Sequence, residues 1–141
     1  MSADVVSPYG RTEPRVGDSA QVRKTITVAD QGLYSGICGN MHPLYVNEVH
    51  AASTEAGGRL AFELVVAALA TGPLAELGGA NRRISALDLR FPAITRVGDT
   101  VAARAEVTEV ADGDARCRVS CVRDEGDTVV AEGTAVLSEV R

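Results

Sequence analysis

With 141 residues, the chain suits one domain large enough to bury roughly two thirds of its unfolded surface without metal or disulfides. Hydrophobic residues make up 45% and charged residues 23%, an ordinary globular balance. A formal net charge of -5 argues against binding nucleic acid through phosphate neutralisation.

Residues 1–7 carry neither a basic stretch nor an apolar core, so no secretory signal is expected there. The longest apolar run, residues 64–70, is too short to span a bilayer, and no membrane partner is expected. Cys38, Cys117 and Cys121 fit neither a zinc site nor a disulfide framework. They read as free thiols of a reducing cytoplasm. No cofactor or metal is expected.

In chain order, residues 1–15 contain Pro8, Gly10 and Pro14 without periodicity and read as an arm before a single domain, 16–141. Val16-Gly17-Asp18 signals a turn. The alternation over 21–26 predicts a strand, and Thr27 or Asp30 caps a short helix over 28–35. Gly36, Gly39, Asn40 and Pro43 then turn the chain repeatedly, and Asn47 caps a short helix through Ala52. Residues 60–70 are apolar almost all round and predict a helix buried on every side, kinked or ended by Gly72-Pro73.

Beyond residue 80 the period becomes two. Ile84, Ala86 and Arg90 are expected on one side of a strand and Leu87, Leu89 and Phe91 on the other. Pro92 ends it. After a second turn, Val97-Gly98-Asp99, the predicted inward faces are Val101, Ala103, Ala105 and Val107, then Cys117, Val119 and Cys121. A hairpin turn at Asp112-Gly113-Asp114 joins these two strands. Gly126-Asp127 leads to a last strand facing inward at Val129, Ala131, Gly133, Ala135 and Leu137. A helix greasy all round and strands greasy on one side predict an α+β chain, a curved antiparallel sheet wrapped around one central helix. That is the hot-dog arrangement. Its exposed edge strand predicts edge-to-edge pairing in a homodimer or higher oligomer.

The segment 35–47 includes Asn40-Met41-His42-Pro43-Leu44-Tyr45, followed by Ala51-Ala52 and by Gly58-Arg59-Leu60-Ala61. Arg90-Phe91-Pro92-Ala93 and Val97-Gly98-Asp99-Thr100-Val101 come later, in the same order. Together these motifs resemble the MaoC-like (R)-specific enoyl-thioester hydratases and dehydratases, over roughly residues 16–110. Their signature is Asp-x-Asn-Pro-x-His. Pro43 matches its proline, but Asn40 stands at the catalytic aspartate and Tyr45 at the catalytic histidine. His42 stands at the asparagine. An amide is no Brønsted base, and a phenol with a reference pKa of about 10 is a weak one. The usual water-activating pair is therefore replaced.

The resemblance implies a small α,β-unsaturated acyl thioester on CoA or acyl carrier protein, with addition or elimination at the β-carbon. Asn40, His42, Tyr45 and Glu63 are the candidate catalytic residues. A carboxylate in a greasy helix needs a partner or a polar cleft, and Arg59 or Arg82 offers a purely structural partner for Glu63. Asn40 suits a turn as well as a substrate contact, and His42 or Tyr45 a structural place as well as proton transfer. Tyr34, Cys38, Pro43, Ala61, Phe62 and Phe91 are candidate substrate contacts. Arg59, with Arg82 and Arg83, is a candidate for a carboxylate or the pantetheine phosphates. Cys38 has no activating charge adjacent in sequence. The nucleophile is water or an amine such as glycine. Thioester hydrolysis, and a non-catalytic subunit that has lost its pair, are the alternatives.

Overall fold

The computed structural model describes Tyr9 and residues 13–141. The N-terminal arm read over 1–15 otherwise lies outside the described residues. Five strands, β1 (Ser19–Thr25), β2 (Arg82–Arg90), β3 (Thr100–Ala111), β4 (Asp114–Arg123) and β5 (Thr128–Glu139), form one antiparallel sheet in the order β1-β3-β4-β5-β2. Five helices fall between β1 and β2: α1 (Val28–Cys38), α2 (Pro43–Val46), α3 (Glu48–Ala52), α4 (Glu63–Leu69) and α5 (Thr71–Gly78). The sheet curves around α4 and α5 in the hot-dog manner.

Alternation builds the core. Val101, Ala103, Ala105 and Val107 on β3 and Ala115, Cys117, Val119 and Cys121 on β4 are all buried. They meet Val66 of α4, Ala70 at the junction of the two helices, and Leu74 and Leu77 of α5. Alanine at inward positions lets the helices settle close to the sheet. On the opposite face, Arg104, Ser120, Glu132 and Arg90 lie side by side across β3, β4, β5 and β2. Mixed charge keeps that face in water. Asp112 and Gly113 take φ of 55° and 81°, the pair of positive values a tight two-residue hairpin needs between β3 and β4.

Two expectations are corrected. The apolar run 60–70 is not one helix buried all round. Leu60 bridges Arg96 in an extended stretch, and α4 starts only at Glu63. Leu64 is 58% exposed on its outer side. Near Gly72-Pro73 the helix is kinked rather than ended, with α4 stopping at Leu69 and α5 starting at Thr71 through a helical Ala70. Proline falls in the first turn of α5, where no intrahelical N–H is required of it. The second correction concerns strand faces. A bulge between Ile84 and Ala86 shifts the phase of β2, so Ile84 shares a face with Leu87 and Leu89 rather than with Ala86 and Arg90. A second irregularity, where Cys121 pairs with Ala131 but Val122 with Val129, leaves Val130 extra. Val130 is therefore buried beside Ala131, and Val129 only half-buried.

Gly133 needs to be glycine for a steric reason. A Cβ there would lie 1.8 Å from the carbonyl oxygen of Asp88, so the close approach of β2 to β5 leaves no room for one.

Candidate active site

The site begins at α1. Thr27 and Asp30 form a capping box, each side chain bonded to the other's backbone N–H. Burial would raise the Asp30 carboxyl, but hydrogen bonds from Lys24 and Thr27 outweigh it and hold the group below its usual value. One turn on, Gln31 is buried, and its amide is fully engaged. Its Nε2 donates to the carbonyls of Tyr45 (3.0 Å) and Leu60 (2.9 Å), and its Oε1 accepts from the N–H of Phe62 (3.1 Å). One side chain thus fastens the loop after α1 to the entry of α4.

That loop folds by local hydrogen bonds. Gly39 closes α1 in the left-handed region, with φ of 73°. Asn40 Oδ1 accepts from the N–H of His42 at 3.0 Å, so its side chain makes a turn. His42 Nδ1 accepts from the N–H of Leu44 at 3.2 Å and caps α2, with Pro43 in the first turn. Asn40, His42 and Pro43 are exposed.

The result of this folding is the placement of Tyr45. Its ring stacks on Phe62, with centroids 4.5 Å apart and planes 10° from parallel. Tyr34 packs on the same Phe62 at 4.3 Å. The Tyr45 hydroxyl donates to both carboxylate oxygens of Glu63, at 2.8 Å each. Burial, then the hydrogen bond to Glu63 and its negative charge, push the Tyr45 phenol up to about 12. Tyr45 is therefore a hydrogen-bond donor throughout the neutral range. Burial chiefly, with Cys38 and Glu63 nearby, raises the Tyr34 phenol too.

Glu63 opens α4 and faces a cavity of about 60 Å³. Its wall is apolar except for Glu63 and Thr95, and includes Leu60, Ala61, Phe91 and Val130. The N–H groups of Glu63 and Leu64 at the start of α4 have no hydrogen-bond partner among the described residues.

Of the candidates from sequence, Tyr34, Tyr45, Ala61, Phe62, Glu63 and Phe91 come together here. Others do not. Cys38 is exposed, and its Sγ donates to the Tyr34 carbonyl. Arg59 does not pair with Glu63, because its Nε reaches Glu48 at 3.0 Å. Arg82 lies elsewhere, its side chain 6% exposed between Glu13 and Glu139. The structural partner imagined for Glu63 is thus Tyr45. Gln31 and Thr95 were not singled out from the sequence. Gln31 had one signal, a polar residue three positions before Tyr34 on the inner face of a short helix. Among the described residues, no group of three or more His, Cys, Asp or Glu is arranged to hold a metal ion, and no helix is long and apolar enough to cross a membrane.

A curved sheet around α4, with a polar pair at the start of that helix, defines the class: the chain belongs to the MaoC-like domain family, whose model matches residues 12–130. Among its relatives is the 3-hydroxybutyryl-CoA dehydratase of Methylorubrum extorquens, 32% identical over 123 residues, 86% of this chain and 78% of that one. Another is the (R)-specific enoyl-CoA hydratase of Rhodospirillum rubrum, 33% identical over 109 residues, 77% of this chain and 76% of that one. An (R)-hydratase from A. caviae superposes with a TM-score of 0.85 at 23% identity, over 92% of this chain and all of its own. That likeness shows the fold.

Proposed function

We propose that this chain adds water to a short α,β-unsaturated acyl thioester, and removes it in reverse, with Glu63 as the base and Tyr45 as its fixed partner. The observation that carries this reading is the Tyr45–Glu63 hydrogen bond at the cavity. It sets a carboxylate and a hydroxyl together at the wall of that cavity, with Tyr45 at the position that resembles the family motif's histidine. Glu63 takes one proton from water as the oxygen bonds to the β-carbon. The π-electron pair moves onto the thioester as an enolate, held by the free N–H groups of Glu63 and Leu64. The proton on Glu63 then passes to the α-carbon, and the carboxylate is restored. Throughout, Tyr45 keeps the carboxylate oriented.

A cavity of about 60 Å³ holds the reacting oxygen and a few further atoms, which favours a short acyl chain such as a four-carbon one. Coenzyme A is the favoured carrier, since both curated relatives are named for CoA thioesters. Water is favoured over glycine because no arginine among the described residues lines the cavity to hold a carboxylate. On this reading Asn40 and His42 shape the loop, and the half-buried Arg59, paired with Glu48, lies toward the carrier. A second copy pairs along β2, whose outer edge has no partner strand among the described residues; Leu87 on β2 is exposed, as are Phe91 and Ile94 beside the cavity. Free thiols and a CoA substrate suit the cytoplasm.

The test is to incubate the protein with crotonyl-CoA in buffer and then with glycine, and to follow mass. A gain of one water supports the proposal. A gain of glycine, free CoA, or no change across acyl lengths and carriers would instead indicate an amine adder, a thioesterase or a non-catalytic subunit.

A further inference from the structure

Thr95 lies in the loop after β2 and is only 5% exposed. Its carbonyl accepts from the N–H of Ala61 at 2.8 Å, which pins the loop to the entry of α4. Its hydroxyl has no hydrogen-bond partner among the described residues, although every buried polar atom of Gln31 is satisfied. Thr95 also lines the same cavity as Glu63, and the rest of that wall is apolar. Among the described residues no buried side-chain nitrogen or oxygen lacks a partner, so the Thr95 hydroxyl is unpaired because it opens onto the cavity, and covering it with an alkyl chain would strip it of water at a cost. Such a group belongs opposite a polar atom of whatever enters. Valine at this position would have filled the same space without that cost, so the hydroxyl points to a bound oxygen.

We propose that Thr95 and Glu63 together hold the oxygen that adds to, or leaves, the β-carbon. This rests on the hydratase reading above and extends it to a residue outside the motif region. A water in the cavity donates one hydrogen to Glu63 and the other to the Thr95 hydroxyl oxygen. Both of its lone pairs are then left facing the double bond. As the carbon–oxygen bond forms, the hydrogen on the Glu63 side passes to the carboxylate. The new hydroxyl keeps its hydrogen bond to Thr95. In the reverse direction Thr95 holds the departing oxygen while Glu63 supplies the proton that makes it water. Thr95 thereby fixes the side from which oxygen approaches.

The test uses Thr95→Val, which matches threonine in shape, and Thr95→Ser, which restores the hydroxyl. Thr95→Val is expected to lower kcat on crotonyl-CoA about tenfold. The Kd for the unreactive butyryl-CoA should stay unchanged, and Thr95→Ser should recover most of the rate. A wild-type kcat in Thr95→Val, or a loss shared equally by butyryl-CoA binding, overturns the proposal. High-resolution crystal structures supply an arm independent of turnover. An ordered oxygen within hydrogen-bond distance of both side chains, lost in Thr95→Val, supports it. A dry cavity, or an oxygen unmoved by the substitution, overturns it. Wild-type protein inert toward crotonyl-CoA sinks the hydratase reading instead, and the crystallographic arm then decides whether the pair holds an oxygen at all.

Discussion

The hydroxyl of Tyr45 and the carboxylate of Glu63 are 18 residues apart in sequence and 2.8 Å apart in space, with both carboxylate oxygens shared by one donor. The contact depends on the short α2, which carries Tyr45, meeting the first residue of α4. Among the described residues Glu63 has no cationic partner. Its negative charge is held by a neutral donor and is available to accept a proton.

Removing the charge should therefore cost more than removing the donor. Glu63→Gln is expected to lower kcat on crotonyl-CoA about a thousandfold. Tyr45→Phe keeps the stack on Phe62 and loses one hydrogen bond, so a fall of about tenfold is expected. Steady-state kinetics on the two variants check the order. Equal losses would mean that Tyr45 itself moves a proton. His42→Ala should slow turnover only through the α2 cap, costing about 1 kcal/mol of local stability, and His42→Asn, which can also cap, should recover it.

Gln31 holds Tyr45 and Phe62 in place from behind. Gln31→Leu leaves one buried N–H and two carbonyls without their present partners, and a loss of about 3 kcal/mol in unfolding free energy is expected. Urea unfolding measures it. Turnover should fall as well, because the loop that carries Tyr45 is freed from α4. A variant that unfolds at the wild-type midpoint would show that the amide is replaceable.

The sheet was legible because its strands obey a period of two and its turns carry glycine beside aspartate, as at Gly17-Asp18 and Gly98-Asp99. The three register shifts, in β2, in β3 between Val107 and Glu109, and between β4 and β5, escaped. A phase shift such as that at Ser85 is set by pairing with β5, which a single strand's sequence does not contain. The greasy run 60–70 suggested uniform burial, yet hydrophobicity alone does not distinguish a core face from the outer face where Leu64 lies. For the site, the motif located Tyr45, and composition flagged Glu63 as a charge in an apolar run. Their contact was not legible, because it depends on how far the loop 39–42 reaches. Thr95 carried no signal, since a threonine near a turn is ordinary until its burial is known.

Arg82 offers a contrast with the site. Its guanidinium is buried at the other end of β2, where it donates to Glu13, Glu139 and the carbonyls of Gly78 and Gly113. Arg82→Met removes the charge that these groups surround and leaves Glu139 and two carbonyls short of a donor. A loss of about 3 kcal/mol is expected in thermal or urea unfolding. At a temperature where the variant is folded, kcat on crotonyl-CoA should equal that of the wild type. A changed KM for the CoA thioester would return Arg82 to the list of substrate contacts.

Alkaline pH should destabilise the fold through three groups. Burial pushes the thiols of Cys117 and Cys121 from 9.0 up to about 11. Burial and Glu63 push the Tyr45 phenol from 10.0 to about 12. In each case the folded chain holds its proton more tightly than the unfolded chain. Below pH 9 both states are protonated, and the full stability is present. Above pH 9 the unfolded chain begins to release its protons while the folded chain keeps them, so stability falls as pH rises through 9 to 12. The loss is on the order of 2 kcal/mol per thiol once pH has passed 11. Urea midpoints taken from pH 8 to 11 should therefore drop, and the drop should shrink in Cys117→Ala and Cys121→Ala. Tyr45→Phe should trim only the portion above pH 10. A midpoint that stays level to pH 11 in the wild type would mean that the thiols are not held as protonated core groups behind α4.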